Sequence, residues 1–334
     1  MSRPTLKDVA ERVGVSAKTV SNVVNGTGWV ADDLKARVRE ALVEVGYRPN
    51  AAARHLRNGK SGMIALAVPE LSQPYFAELA SAIVRAASER SITVMVNQTD
   101  GDPENERIIT EGIDAPAMDG LILSPLALSA ADLEGRRDKT PLVLLGEHIG
   151  SSPFAHVAVD NTAAARAATE HLIAQGCRRI AAIGAQSSGP NETSTLRLEG
   201  YRAALDDAGL AHDAALILNV DQYHRADGAD AARSLVDRGI AFDGIFAFND
   251  LLALGAMHAL AVSGVRIPDD VCVIGFDDIE EGRYSTPALS SVSPDVDDLA
   301  RRAISILTDA PDTIGTQTIA HAIAHRASTK GASE

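Results

Sequence analysis

Cysteine is nearly absent from this chain of 334 residues: Cys177 and Cys272 are the whole supply. Neither has a partner at the CxxC spacing of a zinc site, so both are expected to be reduced thiols packed in a core. Long hydrophobic runs are missing too. No uninterrupted apolar stretch reaches the ~18 residues that a membrane span needs. No charged n-region followed by an apolar h-region opens the sequence, so a soluble, unexported, cytoplasmic protein is expected. Catalytic motifs are equally scarce. Gly184-Ala185-Gln186-Ser187-Ser188-Gly189 has the glycine spacing of a phosphate loop, but Pro190 stands where Lys-Ser/Thr should follow. There is no GxSxG elbow, and His321 with His325 lacks the glutamate of a zinc-protease helix. No enzyme, no cofactor and no metal ligand is indicated.

Positive charge is in deficit as well, with 31 Lys plus Arg against 45 Asp plus Glu and a net charge of -14. The deficit is uneven. Residues 1–60 hold 11 basic and 6 acidic residues, and the remainder holds 20 and 39. Basic character confined to the N-terminus suits phosphate neutralisation there, while an acidic body is repelled by the same polyanion.

What is present in that basic segment has helical period. Thr5-Leu6-Lys7-Asp8 has the form of a capping box, and Leu6, Val9, Ala10 and Val13 recur at helical spacing before Gly14. Ser16 can cap a second helix carrying Val20, Val23 and Val24 inward, which Asn25-Gly26 ends. A third amphipathic helix is expected from Asp32 to Val45. Two short helices joined by a glycine turn and braced by a third make a helix-turn-helix, whose second helix enters a major groove. The valines leave Ala17, Lys18, Ser21 and Asn22 facing outward. Lys18 suits guanine and Asn22 an adenine edge, while Ser16 and Thr19 suit phosphates.

Further on, Tyr47-Arg48-Pro49-Asn50 leads into Ala51–Ala53, a short helix with an Asn cap that is marginal alone in water. Leu56 lies among Arg54, Arg57 and Lys60. An apolar side chain flanked by cations is the chemistry of a minor-groove wedge.

Taken in order, Thr5-Leu6-Lys7-Asp8-Val9-Ala10, Gly14-Val15-Ser16, Thr19-Val20-Ser21, Val24-Asn25 and Tyr47-Arg48-Pro49-Asn50 with Ala53 and Leu56 resemble the lactose-repressor and galactose-repressor family of bacterial regulators. The resemblance implies that Ala17, Lys18 and Asn22 read bases and that Leu56 intercalates from a hinge helix. Thr5, Ser16, Thr19, Ser21, Asn25, Asn50, Arg54 and Arg57 complete the expected DNA-contacting set.

After Ser61-Gly62, apolar runs alternate with helical patterns. Strands are expected at Met63–Val68, Ile92–Val96, Gly120–Leu123, Leu142–Leu145, Val157–Val159, Ile180–Ile183, Leu216–Val220, Gly244–Phe248 and Val271–Phe276. Strands alternating with helices imply parallel sheets covered on both faces, and their number implies two doubly wound lobes, the periplasmic-binding-protein-like arrangement. The expected division is a helix-turn-helix domain over 1–48, a hinge over 49–61 and a core over 62–334. Lobe 1 is expected at about 62–160 plus 288–313, and lobe 2 at about 161–287 plus 314–334.

Ligands of open parallel sheets sit beyond the carboxyl ends of the strands. Phe248-Asn249-Asp250 and Gly275-Phe276-Asp277-Asp278 put an amide and carboxylates at such ends, groups that fork hydrogen bonds to hydroxyls. Asp160 ends another strand. Arg197 is placed near the start of a lobe 2 helix, and Tyr75-Phe76 offers two aromatics for stacking. The family resemblance continues through Asn249-Asp250, Ala253-Leu254-Gly255-Ala256, Ile267-Pro268-Asp269-Asp270-Val271, Gly275-Phe276-Asp277-Asp278, Pro287-Ala288-Leu289 and Arg326-Ala327-Ser328-Thr329. It implies effector contacts at Arg197, Asn249 and Asp277, with Tyr223 lining the cleft. Tyr75-Phe76 is similar to the aromatic pair of the family's purine-responsive members. Gly146-Glu147 stands where relatives place an aspartate.

The expectation is therefore a repressor that binds a pseudo-palindromic operator in double-stranded DNA as a homodimer, under the control of a small-molecule effector. A sugar is the first choice of effector and a purine or nucleoside corepressor the second. Without leucine-rich heptads before Glu334, a dimer is favoured over a tetramer.

Overall fold

The computed structural model describes residues 4–25, 27–47, 60–112, 118–146, 149, 153–187, 192–310 and 313–330. The chain forms two compact units, Met1–Gly62 and Met63–Glu334.

In the first unit, α1 (Leu6–Val13), α2 (Ala17–Asn25) and α3 (Asp32–Val45) pack around Val9, Val20 and Val38, all fully buried. Local chemistry sets each boundary. The Asp8 carboxylate accepts from the Thr5 backbone N–H at 2.6 Å and from its hydroxyl at 2.8 Å, tying down the start of α1. Gly14, at φ 78, takes the left-handed conformation that lets its N–H reach the Ala10 carbonyl and close the helix. Ser16 Oγ accepts from the Thr19 N–H at 3.1 Å and caps α2. Asp32 and Asp33 occupy the first turn of α3, where they suit the positive end of its dipole.

The second unit holds two six-stranded sheets. Lobe 1 runs through β1 (Met63–Val68), α4 (Pro74–Glu89), β2 (Thr93–Gln98), α5 (Pro103–Thr110), β3 (Leu121–Leu123), α6 (Ala130–Glu134), β4 (Leu142–Leu145) and β5 (Ala155–Val159). Lobe 2 continues through α7 (Asn161–Ala174), β6 (Ile180–Ala185), α8 (Glu192–Asp207), β7 (Ile217–Asn219), α9 (Arg225–Asp237), β8 (Gly244–Ala247), α10 (Asp250–Val262), β9 (Cys272–Phe276), α11 (Glu280–Arg283) and β10 (Ser290–Pro294). The chain then returns through α12 (Val296–Asp309) and β11 (Gly315–Ile319) to β12 (His321–Ala324).

Strand order is β11-β5-β4-β3-β1-β2 in one sheet and β12-β10-β9-β8-β6-β7 in the other. Among the described residues every pairing is parallel except β10 with β12, which is antiparallel. This order moves two of the expected lobe boundaries. Residues 290–294, expected in lobe 1, pair with β9 at Ser290↔Ile274, and residues 315–319, expected in lobe 2, pair with β5 at Gly315↔Ala155. The chain thus crosses between lobes near Asp160, Asp295 and Ala320. Ser-Ser-Val-Ser-Pro has no apolar run to mark it as a strand; its buried serines are instead satisfied by bonds such as Ser290 N–H to Ser328 Oγ at 2.7 Å.

Helix packing in lobe 2 depends on missing side chains. A Cβ on Gly255 of α10 would lie 1.9 Å from the Arg225 carbonyl oxygen, and one on Gly228 of α9 would lie 2.1 Å from that of Leu252. The two helices therefore touch backbone to backbone, which fixes where the first turns of both, flanking the strand ends, must stand.

Candidate functional site

In the first unit the outward side of α2 carries Lys18, exposed, with Ser21 and Asn22 half-buried beside it. Ser16 and Thr19 hydroxyls meet at 2.9 Å, and Asn22 Oδ1 accepts from the Thr27 hydroxyl at 3.5 Å. Thr5 is exposed and held by Asp8. Ala17, expected to face outward, is half-buried against the three-helix core; with only a methyl group it can present little surface to a base. Asn25 closes α2. Asn50, Arg54, Leu56 and Arg57 lie outside the described residues, as does Glu147. Trp29, which the sequence reading did not single out, is 90% exposed in the segment between α2 and α3.

The second unit contains a cavity of about 540 Å³ between the carboxyl ends of its two sheets. From lobe 1, Tyr75, Phe76, Asp100 and Ser124 line it; from lobe 2, Arg197, Asp221, Tyr223, Asn249 and Asp277 do. Arg197 is almost wholly buried. Its Nε donates to Asn161 Oδ1 at 2.7 Å, its Nη1 donates to the Phe248 carbonyl, and its guanidinium lies 3.5 Å over the Phe276 ring. Such a fixed cation can hold the oxygens of a polar ligand without paying to order a flexible side chain.

Asn249 works locally before it works on any ligand. Its Oδ1 caps α10 by accepting from the Leu252 N–H at 2.9 Å, and its Nδ2 donates to the Tyr223 carbonyl at 3.1 Å. The Tyr223 hydroxyl donates to the Gly184 carbonyl at 2.8 Å, and burial pushes it up to about 12, so it stays protonated. Tyr75 and Phe76 meet edge to face, with ring centres 5.2 Å apart and planes at 65°.

Asp277 sits at φ 106 and Asp278 at φ 55, consecutive non-glycine residues in the left-handed region, a strain of order 1–3 kcal/mol each. A network beneath holds them there. The Asp250 carboxylate, fully enclosed, accepts from the Ile279 N–H at 2.9 Å and the Ser291 hydroxyl at 2.6 Å. Burial, then the charge of Asp277, holds its pKa well above the ordinary value. The Asp278 carboxylate accepts from Arg326 at 2.5 Å and from Ser293 at 2.9 Å. Hydrogen bonds also span the lobes: His224 Nε2 meets Glu70 Oε2 at 2.9 Å at the cavity edge, and Glu78 Oε1 accepts from the Glu280 N–H at 3.0 Å. The Ser72 hydroxyl foremost, with His224 and Gln73, holds the Glu70 carboxyl below its usual range against the opposing effect of burial.

Asp160 is the one expected effector contact among the described residues that the structure places elsewhere. It is exposed, caps α7 by accepting from the Ala163 N–H at 2.9 Å, and does not line the cavity. The strand end that it marks does supply a cavity residue, its neighbour Asn161.

Comparison with known proteins matches residues 5–50 to the bacterial regulatory proteins of the lacI family and residues 169–329 to the periplasmic binding protein-like domain. The ribose operon repressor of Halalkalibacterium halodurans is 36% identical over 304 residues, covering 91% of this chain and 89% of the relative. The chain belongs to the lacI family of bacterial regulators. It is accordingly a DNA-binding transcription regulator and not an enzyme. Among solved structures, a complex described as the transcriptional regulator CelR with cellobiose is 30% identical, covers 98% of this chain and 100% of that one, and has a TM-score of 0.70. The lac repressor dimer bound to operator and the anti-inducer ONPF is 26% identical with a TM-score of 0.82, covering 98% of this chain and 99% of that one.

Within this lacI-family frame, the cavity residues that sequence reading missed include Asn161, Asp100, Ser124, Gln186 and Asp221. Each follows a strand, so the rule that ligands sit at carboxyl ends could have found them. What hid them is that a polar residue after a strand is also the ordinary composition of a loop.

Proposed function

We propose that this regulator is a repressor that binds a pseudo-palindromic operator as a homodimer, with an affinity set by a sugar held between the lobes of its core. The observation that carries the reading is Arg197, buried at the cavity wall and fixed by Asn161, the Phe248 carbonyl and the Phe276 ring. With Asp277, Asn249, Asp221 and Asp100 around it, the cavity offers donors and acceptors suited to a molecule dense in hydroxyls. Relatives described as a ribose operon repressor and a cellobiose complex support the sugar class. The nucleobase alternative rested on Tyr75 and Phe76. Their edge-to-face arrangement offers no pair of parallel plates to sandwich a base, which favours the sugar.

On DNA, Lys18, Ser21 and Asn22 read bases in the major groove, while Thr5, Ser16 and Thr19 contact phosphates. Leu56, flanked by Arg54 and Arg57, wedges the centre of the site from paired hinge segments. Operator binding places the working protein in the cytoplasm, with the acidic core kept clear of the duplex. Closure of the lobes on ligand shifts the dimer between arrangements with different grip, a coupling of about 1–3 kcal/mol in comparable systems.

The test is calorimetric titration of the full-length protein with a panel of pentoses, hexoses and disaccharides, repeated on Arg197→Ala. The expected outcome is binding of one sugar class to the natural sequence and loss of at least tenfold in affinity in the variant. Equal sugar affinity in both proteins would overturn the cavity assignment. Absence of any sugar binding, with tight binding of a purine, would replace the ligand class.

A further inference from the structure

The cavity between the lobes is unevenly charged. Among the described residues that line it, Glu70, Asp100, Asp221 and Asp277 bring four carboxylates against the single guanidinium of Arg197, and no lysine joins them. Both lobes contribute, with Asp100 just beyond β2 and Asp221 just beyond β7. Local bonds hold both turns. The Asp100 N–H donates to the Pro69 carbonyl at 2.9 Å and its carboxylate accepts from Gln98 Nε2 at 2.5 Å, while the Asp221 carbonyl accepts from Gln186 Nε2 at 3.3 Å.

The device by which an α/β fold ordinarily holds a phosphate is already occupied. N–H groups at a helix start, where the dipole is positive, bind anions. At helices that follow the lining strands, the chain's own side chains take those groups. Asp102 accepts from the Glu104 and Asn105 N–H groups of α5 at 2.9 and 3.0 Å, Asp160 from the Ala163 N–H of α7, and Asn249 from the Leu252 N–H of α10.

Donor and acceptor chemistry narrows the ligand further. A carboxylate only accepts and a guanidinium only donates, whereas a hydroxyl does both. A neutral saccharide can therefore donate to the carboxylates and accept from Arg197. A phosphate ester carries about two negative charges at pH 7 and oxygens that accept. It would face the four carboxylates with like charge and no proton to give.

We infer that the cavity takes an uncharged saccharide and excludes its phosphate esters, with Asp100 and Asp221 as the specificity-determining residues. This rests on the sugar reading above and sharpens it. Glu70 is bound by Ser72, Gln73 and His224, and Asp277 is half-buried, which leaves Asp100 and Asp221 as the exposed carboxylates that an arriving ligand meets. The body of the chain adds to the same field, since residues 61–334 hold 20 basic against 39 acidic residues. A regulator built this way reports the sugar before any phosphoryl transfer to it.

The test is calorimetric titration of the full-length protein with pentoses, hexoses and disaccharides, then with the terminal phosphate ester of the tightest binder, such as ribose 5-phosphate for ribose or glucose 6-phosphate for glucose. At low salt the ester should bind at least about a hundredfold more weakly than its parent sugar. High salt should narrow that gap, because screening weakens repulsion. Asp100→Asn combined with Asp221→Asn should narrow it by about tenfold at low salt. Asparagine suits the left-handed backbone at position 100, where φ is 59, so the variant keeps that turn. An ester that binds as tightly as its parent would overturn the inference and leave the sugar reading intact. A gap indifferent to salt and to the double variant would mean exclusion by size, and would overturn it too. A gap that narrows with salt but not in the variant would overturn the assignment to Asp100 and Asp221. If neither sugars nor their esters bind, the inference falls together with the sugar reading.

Discussion

The helical head and the two-lobed core place their working groups in opposite ways. In the head, Lys18 stands free in solvent, and the fold beneath it is three short helices closed on a few valines. In the core, Arg197, Asn249 and Tyr223 are each bonded to backbone or to one another before any ligand arrives. An exposed reading group can be exchanged at little structural cost, which suits a surface whose target is a DNA sequence. A pre-ordered cavity ties recognition to stability, so changes there should register in both.

That contrast can be broken most forcefully at Gly255. Gly255→Ala pushes a methyl group into the Arg225 backbone, and unfolding of the core should become easier by about 3 kcal/mol, read from denaturant midpoints. A change as small as that of a surface substitution would show that α9 and α10 can separate freely. Asp250 sharpens the comparison through pH. Its proton is held more tightly in the folded chain than in the unfolded one, so its contribution is fully present below the ordinary value of 3.8 and declines as pH rises towards the folded value. Asp250→Asn should remove that part of the slope of stability against pH. An unchanged slope would mean that Asp250 is not the group that titrates.

Effects in the head should be smaller. Ser16→Ala removes the acceptor for the Thr19 N–H and should cost about 1 kcal/mol of head stability in thermal melts. Lys18→Ala should leave stability within about 0.5 kcal/mol while lowering operator affinity, as measured by fluorescence anisotropy at fixed salt. If Lys18→Ala melts several degrees lower, the exposed group is structural and the contrast fails at that residue.

Much of the architecture was legible in the residues themselves. The capping groups at Thr5, Asp8 and Ser16, the left-handed glycine at position 14 and the valine period bound the head helices, so α3 runs from Asp32 to Val45 as expected. Continuous apolar runs such as Met63–Val68 and Leu142–Leu145 name buried parallel strands for the same reason. Strands without that signature escaped. β10 is mostly serine and is held by side-chain hydrogen bonds, and β11 has an exposed, polar edge, so the lobe crossings were misplaced. In the cavity, Asp277 was visible as a carboxylate closing a strand, and Arg197 as an arginine near the start of a helix, where the dipole has no need of one. Asp160 was misread because a capping carboxylate and a ligand-binding carboxylate look alike after a strand. Asn161, one position on, was missed because its importance comes from Arg197, 36 residues away in sequence.

The central claim is that occupancy of the cavity and grip on DNA are thermodynamically linked. Linkage is reciprocal: if a sugar changes operator affinity by some factor, the operator must change sugar affinity by the same factor. Both can be measured at one fixed salt concentration on the full-length protein, by anisotropy with and without sugar and by calorimetry with and without operator. The account predicts two equal factors of about 5–150, a coupling of roughly 1–3 kcal/mol. A factor of one in both titrations, with sugar and operator each binding tightly, would contradict it.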